Sequence, residues 1–128
     1  MNVLLDTCTF LWALEEPDRL PDLPTRLFSD PECTLFLSAV SVWEIAIKCG
    51  LGKLDFPDSL DLFIPRAIRQ FKLNPLPLDV ATAILVAKLP PHHKDPFDRM
   101  LVCQAMAHKL TILTPDRLIR QYGVPCLW

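Results

Sequence analysis

The stretch "NVLLDTCTF", residues Asn2–Phe10, decides how the rest of the chain is read. Val3, Leu4 and Leu5 are apolar on successive positions, as a strand buried on both faces of a parallel sheet requires. The run stops at Asp6. Asp6-Thr7 is also a pair that can open a helix near Cys8, its oxygens accepting from the first free amides. Asp6 therefore has two readings: a helix cap, or one of several acids gathered where strands end. The remaining acids decide between them.

Working outward, strand-length apolar runs recur at Thr34–Leu37 and Thr111–Leu113, with a shorter one near Val124–Leu127. Helical patterns lie between them. Ala39–Cys49 reads as a helix ended by Gly50 and Gly52. Asp79–Leu89 reads as another, capped by Asp79, with Ala83, Ile84 and Ala87 along one face and Pro90-Pro91 as its stop. In Asp58–Phe71 the apolar spacing is helical, but Pro65 is expected to kink or split it. The clearest helix is "DPFDRMLVCQAMAHKL", Asp95–Leu110, with Asp95 as cap, Pro96 at the first helical position and Lys109 near the end. Strands alternating with helices predict an α/β layer with a mostly parallel sheet. Ligands of such sheets bind beyond the carboxyl ends of the strands, which is where Asp6 lies.

Composition narrows the class. The chain has 128 residues, 51% hydrophobic and 22% charged, which suits one folded domain over residues 1–128 with a core that needs no staples. No apolar stretch reaches the roughly 18 residues that span a bilayer, and no basic segment precedes the first apolar run as in a signal peptide. The five cysteines, Cys8, Cys33, Cys49, Cys103 and Cys126, are scattered and odd in number. That argues against a disulfide framework or zinc site and for a reducing, cytoplasmic setting. A net charge of −2 gives no global field for an anionic partner, so such a partner needs a local basic rim or bound cations.

Four acids fall at element boundaries or one turn inside a helix: Asp6, Glu44, Asp98 and Asp116. Each has a structural explanation of its own. Asp6 can cap. Glu44 can pair with Lys48 one turn on, worth about 0.3–0.5 kcal/mol. Asp98 meets the positive end of a helix dipole, and Asp116 does the same if Thr114 caps and Pro115 starts a helix. Taken together they say more, because in a parallel sheet the strand ends and the following helix starts share one edge. Two carboxylates about 4 Å apart repel by about 4 kcal/mol at an effective dielectric near 20, so four in one crevice call for protons or cations. Oxygen donors alone suit Mg²⁺ or Mn²⁺ and not zinc. The chemistry such ions serve is in-line displacement at phosphorus.

These residues sit in recognisable company. "LLDTCTFLWAL", "LSAVSVWEIAIKCGLGKL", "LPPHHKDPFDRMLVCQA", "LTILTPD" and "YGVPCLW" follow in the order and at the distances of a PIN-domain ribonuclease. The chain resembles the VapC-type toxins of bacterial toxin–antitoxin pairs along its whole length. The resemblance implies a three-layer α/β/α fold with a central mostly parallel sheet, and Mg²⁺- or Mn²⁺-dependent endonucleolytic cleavage of RNA. It places the catalytic and metal-binding acids on Asp6, Glu44, Asp98 and Asp116. It also puts the Thr114 hydroxyl beside the last acid, where it orients a carboxylate or a water. Asp95 is acidic and nearby, though capping accounts for it. The partners implied are RNA, a cognate antitoxin reaching into the acidic site, and a second copy in a homodimer.

Further residues are left with alternatives. His92 and His93 have two readings, as metal ligands or a general base and as loop residues near the substrate path; the second is preferred, since carboxylate-bound metals need no histidine. Arg99 reads as a contact either to phosphate or to an acid. Lys48, Lys53, Lys88 and Lys94 are candidates for a basic rim. Trp12, Leu14 and Phe63-Ile64 are candidate apolar surface. A signalling receiver domain would want an acidic pair after strand one, and a haloacid-dehalogenase-type phosphatase would want D-x-D where this chain has "DTC". The nearer alternatives are a PIN nuclease of RNA processing and a non-catalytic binding domain. The short length, with no appended RNA-binding segment, favours the toxin.

Overall fold

Five short strands, all parallel, form the centre of the molecule in the order β3-β2-β1-β4-β5. The computed structural model describes residues 1–128. In chain order the elements are β1 (Asn2–Leu5), α1 (Thr7–Glu15), α2 (Asp22–Leu27), β2 (Thr34–Ser38), α3 (Ala39–Gly50), α4 (Leu60–Gln70), β3 (Asn74–Leu76), α5 (Val80–Ile84), α6 (Pro96–His108), β4 (Thr111–Leu113), α7 (Arg117–Arg120) and β5 (Cys126–Leu127).

Side chains alternate across the sheet and build one core on each face. Val3, Leu5, Leu35, Leu37 and Leu113 point to the side covered by α1, α2 and α4, where they meet Phe10, Leu27, Ile64 and Ala67. Leu4 and Ile112 point the other way, onto Leu101, Val102 and Ala105 of α6 and Ile119 of α7. Helix α3 contributes Ile45 to the first core and Val40 to the second, so it lies across the end of the sheet. Each fully buried aliphatic side chain contributes about 1.5–3 kcal/mol. The α/β/α layering is therefore fixed by uninterrupted apolar strands, with both faces demanding a cover.

Several local expectations need correction. Pro65 lies inside α4 and does not split it. The helix forfeits one ladder bond there and keeps its buried stripe of Ile64 and Ala67. Gly50 is the last residue of α3, and the turn out is made by Gly52 at φ +74°, a conformation costly to residues with a Cβ. The segment after Asp79 is one short α-helix continued by a 3₁₀ turn over Leu85–Lys88. Its inward residue is Thr82, whereas Ile84 and Ala87 are exposed. Asp116, not Thr114, caps α7, and Pro115 precedes that helix. Strand β3 was not foreseen. No helix is long and apolar enough to cross a membrane.

The strand order reverses at β1. From β1 the chain runs outward through β2 to β3, then returns to β4 on the other side. The crevice beyond the carboxyl ends of β1 and β4 is thus the topological switch point of the sheet. Leu5 of β1 is level with Leu113 of β4, and the Asp6 amide donates to the Leu113 carbonyl at 3.3 Å. Asp6 and Thr114 leave the sheet side by side.

Candidate metal centre at the switch point

The inner part of the crevice is built on Asp6, which is 3% exposed. Its two readings both hold. As cap of α1, Oδ1 accepts from the Thr9 amide at 2.8 Å, while Oδ2 accepts from the Thr114 hydroxyl at 2.5 Å. Thr114 Oγ1 in turn accepts from the Asp116 amide at 3.0 Å, tying the first acid to the last. Burial pushes the Asp6 carboxyl above the ordinary range, and the bonds from Thr114 and Thr9 pull it part of the way back. The Cys8 thiol points at the same carboxylate from 3.6 Å.

Helix α3 brings Glu44 to this wall. Ser38 caps the helix through Val40, donates its hydroxyl to Gln104 of α6 at 2.5 Å, and so anchors α3 to its neighbour. Thr7 donates to Ser41 at 3.0 Å and anchors it to α1. Glu44 is 4% exposed, and its Oε2 pairs with the Lys48 ammonium. Its Oε1 is buried with no hydrogen-bond partner at all. A buried carboxylate oxygen left bare costs about 1–3 kcal/mol or more, which points to an occupant of the crevice.

The outer part is made by Asp98 and Asp116. Asp98 is the third residue of α6, whose cap Asp95 accepts from the Phe97 amide at 2.8 Å and the Asp98 amide at 3.3 Å. Asp116 caps α7 through Leu118 at 2.8 Å. His93 joins the two acids, its Nε2 lying 3.1 Å from Asp98 Oδ2 and 2.9 Å from Asp116 Oδ2. The Asp98 carboxyl is pushed up to about 7, first by burial, then by Asp95 and Asp6, with Glu44 adding to them and His93 opposing. Asp98 therefore feels both inner acids, Asp6 and Glu44, and His93 links it to Asp116.

Other sequence candidates resolve differently. Arg99 touches no acid and is half-buried. Its guanidinium donates to the carbonyls of Pro90 (2.8 Å), Leu89 (3.2 Å), Val86 (3.4 Å) and His93 (3.5 Å), and to the Tyr122 hydroxyl at 3.0 Å. It clamps the loop before α6 and forms no ion pair with an acid. Asp95 acts as the cap it was expected to be. His93, one of the two histidines with two readings, lies inside the site at 11% exposure, while His92 packs edge-on against Tyr122. The "HHKDPFDR" run carried the signal, but which histidine turns inward depends on contacts far along the chain. Lys48 is committed to Glu44, and Lys53, Lys88 and Lys94 are exposed. Trp12 packs against Trp128 and under Arg19, and Ile64 is core. The open apolar residues are instead Trp43 (59% exposed), Leu51, Leu62, Val80 and Ile84.

Four carboxylates, one of them with a bare buried oxygen, suit a hard divalent cation, and donor atoms of His93, Asp98 and Asp116 lie within 4.8 Å of one another. The five free cysteines take no part: burial and Asp6 push the Cys8 thiol far up, so it stays protonated.

Comparison with known proteins agrees with this geometry. Residues 3–125 match the PIN domain family. The chain is 38% identical over 55 residues to Ribonuclease VapC16 of Mycobacterium tuberculosis (strain ATCC 25618 / H37Rv), a match spanning 43% of this chain and 39% of that one. The chain thus aligns with well under half the length of that curated relative. Among solved structures, VapBC2 from Rickettsia felis bound to a promoter DNA fragment superposes with a TM-score of 0.69 at 15% identity, covering 100% of this chain and 98% of that one. FitAcB from Neisseria gonorrhoeae gives 0.68 at 21% identity, over 98% and 96%. DNA-bound VapBC from Salmonella typhimurium gives 0.69 at 17%, over 99% and 97%. At these identities the structures speak for the fold alone. With the family match running through nearly the whole chain, and the acids at the ends of β1 and β4, this protein belongs to the PIN domain family.

Proposed function

We propose that this protein is a Mg²⁺- or Mn²⁺-dependent endoribonuclease of the VapC type, the toxin of a toxin–antitoxin pair, acting through Asp6, Glu44, Asp98 and Asp116. The observation that carries the reading is Glu44 Oε1, a buried carboxylate oxygen without a partner, near an Asp98 carboxyl pushed up to about 7 by burial first and by its acidic neighbours next. Divalent cations held there supply the means to polarise a phosphodiester and activate water for in-line attack. The chain's own contribution is to hold the acids. Thr114 orients Asp6, Ser38 and Thr7 position the helix that carries Glu44, and the Asp95 cap presents Asp98. Asp6, Asp98, Asp116 and Glu44 would bind the cations and Thr114 would support them.

RNA is the substrate class this reading implies. The partner proteins it implies are an antitoxin covering the crevice and a second copy of the chain. The apolar residues left open on α3 and α5, Trp43, Val80 and Ile84, are available to such partners. The test uses antitoxin-free protein against a panel of structured and single-stranded RNAs, with Mg²⁺, Mn²⁺ or chelator, and Asp98→Asn as control. Cleavage that needs the metal and vanishes in the variant is expected. Metal-independent cleavage, or cleavage that survives Asp98→Asn, overturns the mechanism.

A further inference from the structure

We propose that His93 is a positioning residue: its Nε2–H bridges Asp98 and Asp116, and it does not ligate the cation those acids hold. This rests on the metal-site reading above and adds a residue to it. By distance alone His93, Asp98 and Asp116 resemble a ligand triad, since one donor atom from each falls within 4.8 Å of the others. The other ring nitrogen decides otherwise. Nδ1 faces the backbone amide of Asp95 at 3.1 Å. A backbone N–H can only donate, so Nδ1 must present its lone pair, and the proton of the neutral ring is on Nε2. That proton points at Asp116 Oδ2 (2.9 Å) and Asp98 Oδ2 (3.1 Å).

Ligation through Nε2 would need the proton moved to Nδ1, where it would meet the Asp95 N–H head-on. The ring has little freedom to turn away. The His93 amide donates to Tyr122 Oη at 2.9 Å, Arg99 donates to the same oxygen at 3.0 Å, and Arg99 also binds the carbonyls of Pro90 and Leu89 in the same loop. The Asp95 amide itself sits one residue before α6, at the helix cap, so the tautomer is set by the start of the helix that carries Asp98. In this arrangement the bridge takes one oxygen of each outer acid and sets their orientation. Asp98 Oδ1 and Glu44 Oε1 are left for the cation. Histidines that ligate metals have the reverse pattern, with the far nitrogen donating to a carbonyl or carboxylate.

The direct test is imidazole ¹⁵N NMR on the wild-type protein, metal-free and saturated with Mg²⁺. The Nε2–H form is expected in both states. A Mg²⁺-induced move of the proton to Nδ1 makes His93 a ligand and overturns the proposal. The companion measurement is Mn²⁺ calorimetry on His93→Phe and His93→Gln. His93→Phe is expected to weaken binding about 10–100-fold, as loss of a hydrogen-bond partner of a ligand does, and His93→Gln, which keeps an N–H donor, to recover most of it. Unchanged Mn²⁺ affinity in folded His93→Phe also overturns the assignment. Failure of the underlying reading looks different: Mg²⁺ and Mn²⁺ would then perturb neither the wild-type carboxyl resonances nor its heat of binding, and the proposal falls with the metal site.

Discussion

The inner and outer halves of the crevice use the same residue type and answer the cost of burial differently. Asp6, inside, is more deeply buried, yet an amide of α1 and the Thr114 hydroxyl answer both of its oxygens. Asp98, outside, is less buried; burial first, then the charges of Asp95 and Asp6, push its carboxyl up to about 7, with His93 opposing. Burial raises both carboxyls, and the two positions differ in what is set against it. The difference lies in the donors each position inherits. Asp6 stands at a strand end and a helix start together, where backbone geometry provides donors. Asp98 is in the first turn of α6, where the cap has already taken its amide.

The most severe way to break this contrast is Asp98→Asn. Transition-state stabilisation lost with one such group lowers RNA cleavage by about a hundredfold or more, measured as initial rate at saturating Mn²⁺. The stabilisation conferred by Mn²⁺, read as a rise in Tm, is expected to shrink with it. Retention of the full rise in the variant would put the cation elsewhere.

The same residue sharpens the contrast without metal. Its carboxyl titrates near 7 in the folded chain against an ordinary 3.8, so between those values the folded state holds the extra proton. Stability then falls as pH rises through that window, and the full penalty stands above 7. Metal-free protein should be less stable at about pH 8 than at about pH 5, by on the order of a few kcal/mol, with Asp98→Asn distinctly flatter. Denaturant midpoints at the two pH values decide it. Equal slopes for wild type and variant would remove the stress assigned to Asp98.

A smaller effect tests the inner half. Thr114→Val keeps shape and removes the hydroxyl that serves Asp6 and accepts from Asp116. The cost expected is about 1–3 kcal/mol in urea unfolding, because a buried carboxylate oxygen and an amide both lose their partner. Arg99→Lys is the counterpart outside. A lysine cannot reproduce the fork that spans Pro90, Leu89 and Tyr122, so the loop loosens at comparable cost and Mn²⁺ affinity falls with it. Mn²⁺ affinity unchanged in Arg99→Lys would mean that the loop does not hold the outer acids.

This division also marks what was legible in the chain. Strands β1, β2 and β4 were plain because burial on both faces leaves them apolar without a break, and Asp6 and Asp116 followed as residues just beyond such strands. Strand β3 was hidden: "NPL" contains a proline, tolerated because the strand is at the edge and pairs only with β2. Glu44 and Asp98 were legible through helix position and family resemblance together. The role of His93 was not, because it depends on one backbone amide two residues on and on Tyr122, 29 residues away. The loop clamp made by Arg99 was hidden for a related reason, since the carbonyls and the Tyr122 hydroxyl it serves are brought together only by the fold.

The smallest effect concerns Cys8, which reports the inner potential without taking part in chemistry. Its thiol lies against Asp6 at 3.6 Å, and burial first, then the Asp6 charge, holds it protonated. Only a thiolate attacks an alkylating agent, so Cys8 should react with iodoacetamide far more slowly than a free thiol. Asp6→Asn removes the charge and leaves the burial, so the rate should rise but stay below that of a free thiol. Mass spectrometry of the peptide carrying Cys8 follows it. An increase all the way to the free-thiol rate would mean that charge, not burial, dominates the inner half.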